Sequence, residues 1–263
     1  EDSPMKTINT LILSSSLVLA ASGASAAQLI ALGQDGMLHK VDIDSLSVTG
    51  SMAVSGASDL RGIDVRPANG MLYALSGGDG IYTIDTSSGA ATASTTLKSA
   101  LPGDGPAVVD FNPKADRLRL LAADGTNYRV NVDNGDVAVD GSVAYAADGA
   151  YAGQTAQIVA GAYTHTFAGA DVTELFTVDL ATGMLMFQNP PNDGVQQAVG
   201  ELAKGLDGAA MDILSDGKGD NTTYVLTGTT LHTVDLTTGT PTTLGDVSGL
   251  PSDIIDIAAT NGM

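Results

Sequence analysis

The sequence contains no cysteine and no tryptophan, and aromatic residues make up only 4% of its 263 residues. Without cysteine there can be no disulfides, no thiolate zinc site and no cysteine nucleophile. The scarcity of aromatic rings argues against a carbohydrate or quaternary-ammonium site built on stacking platforms. Basic residues are also few, since 11 lysines and arginines oppose 30 acidic residues for a net charge of −19. We therefore expect neither nucleic acid nor an anionic membrane surface as a partner, because basic patches bind both.

Glutamate is scarce as well, because all acidic residues except Glu1, Glu174 and Glu201 are aspartates. Aspartate and the 32 glycines favour turns, whereas helix surfaces favour glutamate and lysine. Hydrophobic residues nevertheless make up 43% of the chain, which is enough for a sizeable core at this length. The composition therefore predicts a globular, all-β protein.

The N-terminal region has the pattern of a secretory signal peptide. Met5 and Lys6 give a positively charged start, a mostly apolar stretch follows over 11–21, and small residues at 24–26 end it. We predict cleavage after Ala26, with residues 1–4 preceding the natural start and residues 27–263 forming a single domain. The apolar stretch is too short for a transmembrane helix, so we expect no membrane span and a periplasmic or secreted protein.

A strand pattern with a fixed ending recurs five times in the rest of the chain. The Asx residues that end the five copies are Asp42, Asp85, Asn131, Asp179 and Asp235. Their intervals are 43, 46, 48 and 56 residues, and a glycine stands four positions later in every copy except the first, which has Leu46. An Asx residue followed by glycine is typical of a hairpin turn, in which the Asx side chain caps the turn and glycine takes the positive φ.

A further apolar strand precedes most copies, over residues 60–67, 107–113, 158–164 and 208–214. Each unit then has four short strands in about 45 residues, the size of one propeller blade. The first copy lacks its leading strand, and residues 252–259 offer one at the C-terminus. We therefore predict a five-bladed β-propeller with four-stranded antiparallel blades, closed by the C-terminal strand pairing into the first blade. An insertion over 187–194 is expected to be a surface loop, either a connector or a contact for a partner.

Three separated motifs carry a resemblance to a known family. They are Gly62-Ile-Asp-Val-Arg-Pro67 followed by 70–75, Asp110-Phe-Asn-Pro113 followed by 116–119, and the insertion at 188–194. In these motifs the chain resembles the bacterial family catalogued as domain of unknown function 4394, over nearly all of the mature chain. The resemblance implies an exported, propeller-like β protein and supplies no catalytic residue.

Aspartates occupy equivalent places in four of the five predicted innermost strands, with Ala162 at the fifth place. They are Asp64, Asp110, Asp212 and Asp256. Each lies between apolar neighbours, so its side chain points the opposite way, towards the central channel. A partial ring of oxygen ligands suits a hard cation such as calcium, which makes these four residues the candidate metal ligands. The alternative is a structural role, in which backbone N–H groups, hydroxyls or Arg66 hold each carboxylate between blades.

No other pattern indicates a catalytic or cofactor-binding residue. Residues 216–221 resemble a calcium-binding EF-hand loop but depart from its ligand positions, and we interpret them as a turn. His39 and His232 hold a position that is aromatic in other copies and are expected to pack between blades, while His165 has no carboxylate in a recognisable motif beside it. Serine-hydrolase, zinc-protease and phosphate-loop motifs are absent from the sequence.

Two functional hypotheses follow from these patterns. The first is an exported, non-enzymatic and monomeric propeller that binds a protein or a small polar ligand, with a cation at the channel. The second is a calcium-dependent hydrolase of the propeller lactonase or esterase type, which the expected architecture resembles. Such enzymes use a glutamate ligand, and neither Glu174 at the start of an outer strand nor Glu201 in a linker is a candidate for it.

Overall fold

The computed structural model of the protein describes residues 27–261, so the predicted signal peptide lies outside the described residues. The described chain forms 21 strands and one 3₁₀ helix. The strands assemble into five sheets, one for each predicted blade. The prediction of an all-β, five-bladed propeller is confirmed.

The blades follow one another along the chain, and the last strand returns to the first blade. Blade 1 consists of β1 (Gln28–Gly33), β2 (Met37–Asp42), β3 (Ser47–Ala53) and β21 (Ile254–Thr260). Blade 2 consists of β4 (Leu60–Val65), β5 (Leu72–Ser76), β6 (Gly80–Ile84) and β7 (Ala91–Thr96). Blade 3 consists of β8 (Val108–Asn112), β9 (Arg117–Leu121), β10 (Asn127–Val130) and β11 (Val137–Val139).

Blade 4 is the only one of the described blades with a fifth strand. It consists of β12 (Ala144–Tyr145), β13 (Ile158–Tyr163), β14 (Leu175–Asp179), β15 (Met184–Gln188) and β16 (Val195–Glu201), with the 3₁₀ helix at Pro191–Asp193. The short β12 pairs parallel to β16, unlike the antiparallel pairs elsewhere in the blades. Blade 5 consists of β17 (Ala210–Ser215), β18 (Asn221–Thr227), β19 (Thr230–Val234) and β20 (Pro241–Asp246). The predicted four-stranded blade is therefore correct for four blades and incomplete for blade 4.

The innermost strands close the ring. β21 pairs antiparallel with β1, from Gln28 opposite Thr260 to Leu32 opposite Asp256. It also contacts β17 of blade 5 on one side and β4 of blade 2 on the other. The remaining innermost strands touch in the order β4, β8, β13 and β17. The predicted pairing of the C-terminal strand with the first blade is thus present in the structure.

The predicted Asx hairpin turns form in all five blades, but not at equivalent places. Counted from the innermost strand, the turn follows the third strand in blades 1, 2, 3 and 5, whereas Asp179 ends β14, the second strand of blade 4. The fourth repeat copy is therefore shifted by one strand relative to the predicted alignment. The side chain of Asp85 accepts a hydrogen bond from the backbone N–H of Ser87 at 2.7 Å, and Gly89 has a φ of 75°. In the first copy, Leu46 adopts the same left-handed conformation with a φ of 48°. A branched side chain tolerates this region less well than glycine, yet the turn is kept because the strands on both sides are paired.

Most apolar side chains pack between neighbouring blades, because alternate residues of each strand face opposite sides of its sheet. Large apolar clusters fill the interfaces between blades 1 and 2, 2 and 3, 4 and 5, and 5 and 1. The cluster between blades 3 and 4 has only Val108, Leu121 and Ile158 as fully buried members. This interface therefore depends on other interactions.

A buried arginine, Arg119, provides polar interactions between blades 3 and 4. Arg119 is 1% exposed and donates to the hydroxyl of Tyr163 at 3.0 Å and to the side-chain oxygen of Asn192 at 2.8 Å, both in blade 4. It also forms an ion pair with Asp140 at 2.6 Å. Asn192 lies within the predicted insertion at 187–194, in the connection from β15 to β16. The expectation of a surface loop is only partly right, because Phe187 and Gln188 belong to β15 and Gln188 is fully buried, whereas Asn192 is exposed and bonded to blade 3.

Within residues 27–261, no helix has the length and apolarity needed to span a bilayer.

We expect that ending the chain after Leu250, which removes β21, prevents cooperative folding. Ile257 of β21 is 2% exposed, and burying one such side chain is worth roughly 1.5–3 kcal/mol out of a typical net stability of about 5–15 kcal/mol. The deletion also leaves β1 with an unpaired edge, which promotes association between molecules. Size-exclusion chromatography and circular-dichroism melting should show an aggregated 27–250 protein, whereas a 27–260 protein should melt like the full chain. A soluble 27–250 protein with an unchanged melting temperature would show that β21 is dispensable.

Candidate functional site

The four predicted aspartates lie on innermost strands around the channel, as the repeat pattern indicated. Asp64 is on β4, Asp110 on β8, Asp212 on β17 and Asp256 on β21. All four are buried, with between 2% and 8% of each residue exposed. Burial of a carboxylate requires hydrogen bonds or a counter-charge, so the surroundings of each oxygen determine what this group can do.

Each carboxylate accepts a hydrogen bond from the backbone N–H of the next blade around the ring. Going round from blade 1, the donor–acceptor pairs are Ile63 to Asp256 at 2.8 Å, Phe111 to Asp64 at 2.7 Å, Tyr163 to Asp110 at 2.9 Å, and Ala259 to Asp212. Three of the four also accept the N–H of the residue that follows them: Val65, Ile213 and Ile257. The structural role that the sequence left open is therefore present, and it uses backbone N–H groups.

Gly62 makes the contact between blades 1 and 2 possible. A Cβ atom at this position would lie 2.8 Å from a carboxylate oxygen of Asp256 and 2.5 Å from the side chain of Val109. Any larger residue would therefore push the carboxylate away from the N–H of Ile63. The glycine in the Gly62-Ile-Asp motif is thus explained by the close approach of two innermost strands.

The junction between blades 4 and 5 lacks a carboxylate and is bridged differently. Ala162 belongs to the apolar cluster that fills this interface. The hydroxyl of Thr166 donates to the backbone oxygen of Ile213 at 3.0 Å and accepts the N–H of Ser215 at 2.9 Å. The repeat pattern did not point to Thr166, because this residue lies in the connection after β13, outside the aligned repeat positions.

Three of the four carboxylates converge. One oxygen each from Asp64, Asp110 and Asp212 lies within 4.8 Å of the other two, whereas Asp256 is not part of this group. Two oxygens that bind one calcium ion at about 2.3–2.6 Å can be at most about 5 Å apart. The spacing of these three oxygens is therefore compatible with a single cation among them. We refer to Asp64, Asp110 and Asp212 as the carboxylate trio.

The charges of the trio are not balanced by basic side chains. Among the described residues, the ion pairs involve other aspartates: Arg66 pairs with Asp116 and Asp133, and Arg119 and Arg129 pair with Asp140. Arg119 lies opposite Asp110 in the register of β8 and β9, but its guanidinium bonds to Tyr163, Asn127, Asp140 and Asn192 instead. Arg66, one of the possible partners of the ring carboxylates, instead binds Asp116 and Asp133 in turns of blade 3.

Burial raises the pKa of every carboxyl group in the ring. Burial and the nearby charge of Asp212 raise the pKa of Asp64 well above its usual value, and burial together with the charge of Asp64 does the same to Asp110. Burial raises the pKa of Asp212 to about 7, against the hydrogen bonds from Ala259 and Ile213 that lower it. The pKa of Asp256 is also raised well above its usual value, mainly by burial. Near neutral pH the ring therefore favours either bound protons or a bound cation.

The three histidines are hydrogen-bonded to hydroxyl groups. His39 is buried and shares a hydrogen bond of 2.8 Å with Ser51, and His232 bonds to Thr227 and Thr243. His165 bonds to Thr164 within its own strand connection. Among the described residues, none of the three rings is hydrogen-bonded to a carboxylate that could orient it as a general base. The burial of His39 agrees with the predicted packing role.

The loop that resembles an EF-hand is a turn held by hydrogen bonds among its own residues. One carboxylate oxygen of Asp216 accepts the backbone N–H groups of Lys218, Gly219 and Asp220 at 2.7 to 3.1 Å. These bonds lower the pKa of the exposed Asp216 carboxyl group. The loop thus uses its first carboxylate to cap the turn, as predicted.

We expect the ring carboxyls to make the protein less stable as the pH rises, when no cation is present. A carboxyl group with a raised folded-state pKa binds its proton more tightly in the folded than in the unfolded chain. For Asp212 the resulting stabilisation is complete below the usual pKa of 3.8 and is lost as the pH rises to about 7. With chelator present, the melting temperature of the protein minus that of Asp212→Asn should decrease between pH 5 and pH 8. The lowered pKa of His232 acts in the opposite direction but is common to both proteins, and a difference that does not change with pH would contradict the assignment.

Comparison with solved structures relates the fold to other proteins. A structural genomics protein of unknown function from Bacteroides thetaiotaomicron VPI-5482 has a TM-score of 0.56 and 17% identity, covering 92% of this chain and 63% of that chain. The chain thus spans less than two thirds of that protein's length. A protein of unknown function from Bacteroides caccae has 10% identity and a TM-score of 0.44, covering 89% of this chain and 99% of that one. Dihydro-heme d1 dehydrogenase NirN in complex with DHE has 14% identity and a TM-score of 0.42, covering 91% of this chain and 48% of that chain.

At these identities the likeness concerns the fold alone, and the two matches with TM-scores below 0.5 support no conclusion about function. No curated protein matches the sequence significantly. A family model described as "Domain of unknown function (DUF4394)" matches residues 28–258. This match runs from β1 into β21 and so includes strands of all five blades. The chain belongs to the DUF4394 family.

Proposed function

We propose that the protein is an exported, non-enzymatic binding module that holds a divalent cation, best calcium, at the carboxylate trio. The observation that carries the proposal is the convergence of Asp64, Asp110 and Asp212, whose oxygens lie within 4.8 Å of one another in a buried place. Carboxylate oxygens are the ligands that hard cations prefer. Bound at this place, a cation would link blades 2, 3 and 5 and offset the repulsion among three like charges.

The three carboxylates have oxygen lone pairs left for a cation, although they also accept hydrogen bonds from backbone N–H groups. A carboxylate has about four lone-pair sites, and the trio residues each accept only one or two N–H groups. Asp110 accepts a single N–H, from Tyr163, and so has the largest remaining capacity among the three. Within the proposal, Asp110 is the principal ligand, while Asp256 acts only between blades 1 and 2.

The arrangement supports a binding function better than a hydrolytic one. Both glutamates of the described chain are exposed: Glu174 precedes β14 and Glu201 ends β16. Neither supplies the glutamate ligand expected of a calcium-dependent lactonase or esterase. The described histidines also lack a carboxylate partner, since their rings bond to serine and threonine hydroxyls. A polar or protein ligand remains the proposed partner, and a monomer the proposed state.

Calcium binding should be measured by isothermal titration calorimetry on chelator-stripped protein at pH 7.5. We expect one ion per chain and a higher melting temperature with calcium, because a ligand that binds only the folded state stabilises it. Asp110→Asn should weaken binding by about 30-fold, or roughly 2 kcal/mol, because it removes a charged ligand of the trio. Asp256→Asn is the matched control, since it also alters a buried carboxylate between blades but lies outside the trio, and it should bind within about threefold of the parent.

The outcomes separate the cation site from a purely structural ring. Absence of both heat and a shift in melting temperature would overturn the cation proposal and leave the carboxylates as links between blades. Equal losses of affinity in Asp110→Asn and Asp256→Asn would show that the trio is not the site. Hydrolysis of a lactone or ester by the calcium-loaded protein, lost in Asp110→Asn, would overturn the non-enzymatic assignment.

Export is the second part of the proposal and rests on residues 1–26. Expression of the chain from Met5 in a Gram-negative host should place the protein in the periplasmic fraction or the medium. Intact-mass spectrometry should then give a protein that begins at Ala27, because the small residues at 24–26 form the cleavage site. A cytoplasmic protein with an intact N-terminus would refute this part without affecting the cation site.

A further inference from the structure

A cavity of about 760 Å³ opens at the end of the ring where the innermost strands begin. Its lining includes the first residues of β13 and β21 and the connections that lead into β8 and β17. The volume lies in the range of small-molecule sites, which is about 300–1,000 Å³. The aspartates of the ring do not line it, so this cavity is separate from the carboxylate trio.

The walls of the cavity are largely apolar and incompletely covered. Val159, Leu206, Ile254 and Ile255 all line it and remain half-buried. These side chains extend three of the apolar clusters between blades, so each has one side packed and one side facing the cavity. A ligand that covers apolar surface in a cavity removes it from water, and this lowers the free energy of the complex.

One wall segment, the connection that leads into β8, is held in place before any ligand binds. The guanidinium of Arg61, which is 2% exposed, donates to the backbone oxygens of Leu101, Pro102 and Gly105 at 2.8 to 3.0 Å. Gly105 itself lines the cavity. A buried arginine that binds three carbonyl groups fixes this connection, and a preformed wall lowers the entropy cost of binding.

The charged side chains that line the cavity are both acidic. Asp207 and Asp253 line it and are exposed, and among the described residues that line it none is lysine or arginine. The chain as a whole has a net charge of −19. An anion would therefore be repelled, whereas a cation would be attracted to two carboxylates beside an apolar surface.

We propose that this cavity binds a small organic cation with an apolar body, such as a primary amine that carries an aromatic or aliphatic group. The apolar body covers Val159, Leu206, Ile254 and Ile255, and the ammonium group lies near Asp207 and Asp253. This site is independent of the cation proposed for the trio, because the two share no residue.

Three naphthalene compounds that differ only in the head group test the proposal: 1-naphthylmethylamine, 1-naphthylmethanol and 1-naphthoate. Titration calorimetry in excess chelator, at pH 7 and low salt, should give saturable one-to-one binding of the amine. We expect the alcohol to bind about tenfold more weakly, or 1.4 kcal/mol, and the carboxylate not to bind measurably. The preference for the amine over the alcohol should shrink as salt screens the exposed aspartates.

Two pairs of variants assign the binding to this cavity. Leu206→Gln should abolish binding of both the amine and the alcohol, whereas Leu244→Gln, on the exposed face of β20, should leave both unchanged. The double variant Asp207→Asn with Asp253→Asn should bind the alcohol as before but lose the preference for the amine. Asp44→Asn with Asp171→Asn is its charge-matched control, because both residues are exposed and lie outside the cavity.

Several outcomes would overturn the proposal. They are absence of saturable amine binding, equal or tighter binding of the carboxylate, and equal effects of Leu206→Gln and Leu244→Gln. Binding of the alcohol as tightly as the amine would overturn the cationic part and indicate an apolar, uncharged ligand. Because chelator is present throughout, none of these results depends on whether the trio binds calcium.

Discussion

The innermost strand of each blade has a neighbour strand on one side only, and this constraint governs the centre of the molecule. Its other edge has no ladder partner in its own sheet and packs against the innermost strands of the neighbouring blades. A buried N–H without an acceptor costs free energy comparable to a lost hydrogen bond. The carboxylates of Asp64, Asp110, Asp212 and Asp256 meet this requirement by accepting an N–H from the next blade. The side chains that face the channel therefore also hold the ring together.

That solution concentrates negative charge at the axis of an already acidic protein. Hydrogen bonds from backbone N–H groups favour the ionised carboxyl, but burial and the mutual repulsion of three converging groups oppose it. Burial prevails, because the pKa of each ring carboxyl is raised. A structural need for acceptors thus brings together the oxygen atoms that we propose as cation ligands. The structural role and the proposed cation binding are compatible, since a carboxylate oxygen can accept an N–H and bind an ion.

The interfaces between blades differ in how they are filled. Four of them contain large apolar clusters, while the interface between blades 3 and 4 relies on Arg119 and the polar groups that surround it. The insertion at 187–194 completes this interface through Asn192 and so acts as part of the scaffold. At the opening of the ring, by contrast, the apolar clusters end without full cover. The half-buried side chains at the ends of these clusters form the apolar wall of the cavity.

The sequence by itself determined the number of blades, the closure of the ring and the equivalence of the four aspartates. Each of these follows from local periodicity: alternation within strands, Asx and glycine at fixed turn positions, and a repeat of about 45 residues. The match of Asp256 on β21 to Asp64 on β4 was visible because both lie in an Ile-Asp pattern. The extra strand β12 could not be predicted from the sequence, because its two residues are too few to show the alternation of a strand.

Only the tertiary structure decided which carboxylates converge, which partners they have and where a cavity remains. Asp256 looks the same as Asp64 in sequence, but only Asp64, Asp110 and Asp212 come within 4.8 Å of one another. Arg66 stands only two residues after Asp64 in the chain, yet it binds Asp116 and Asp133 of blade 3. Distances across a ring depend on the tilt and register of strands from different blades. A repeat pattern fixes the place of a residue within its blade, whereas packing between blades fixes what its side chain meets.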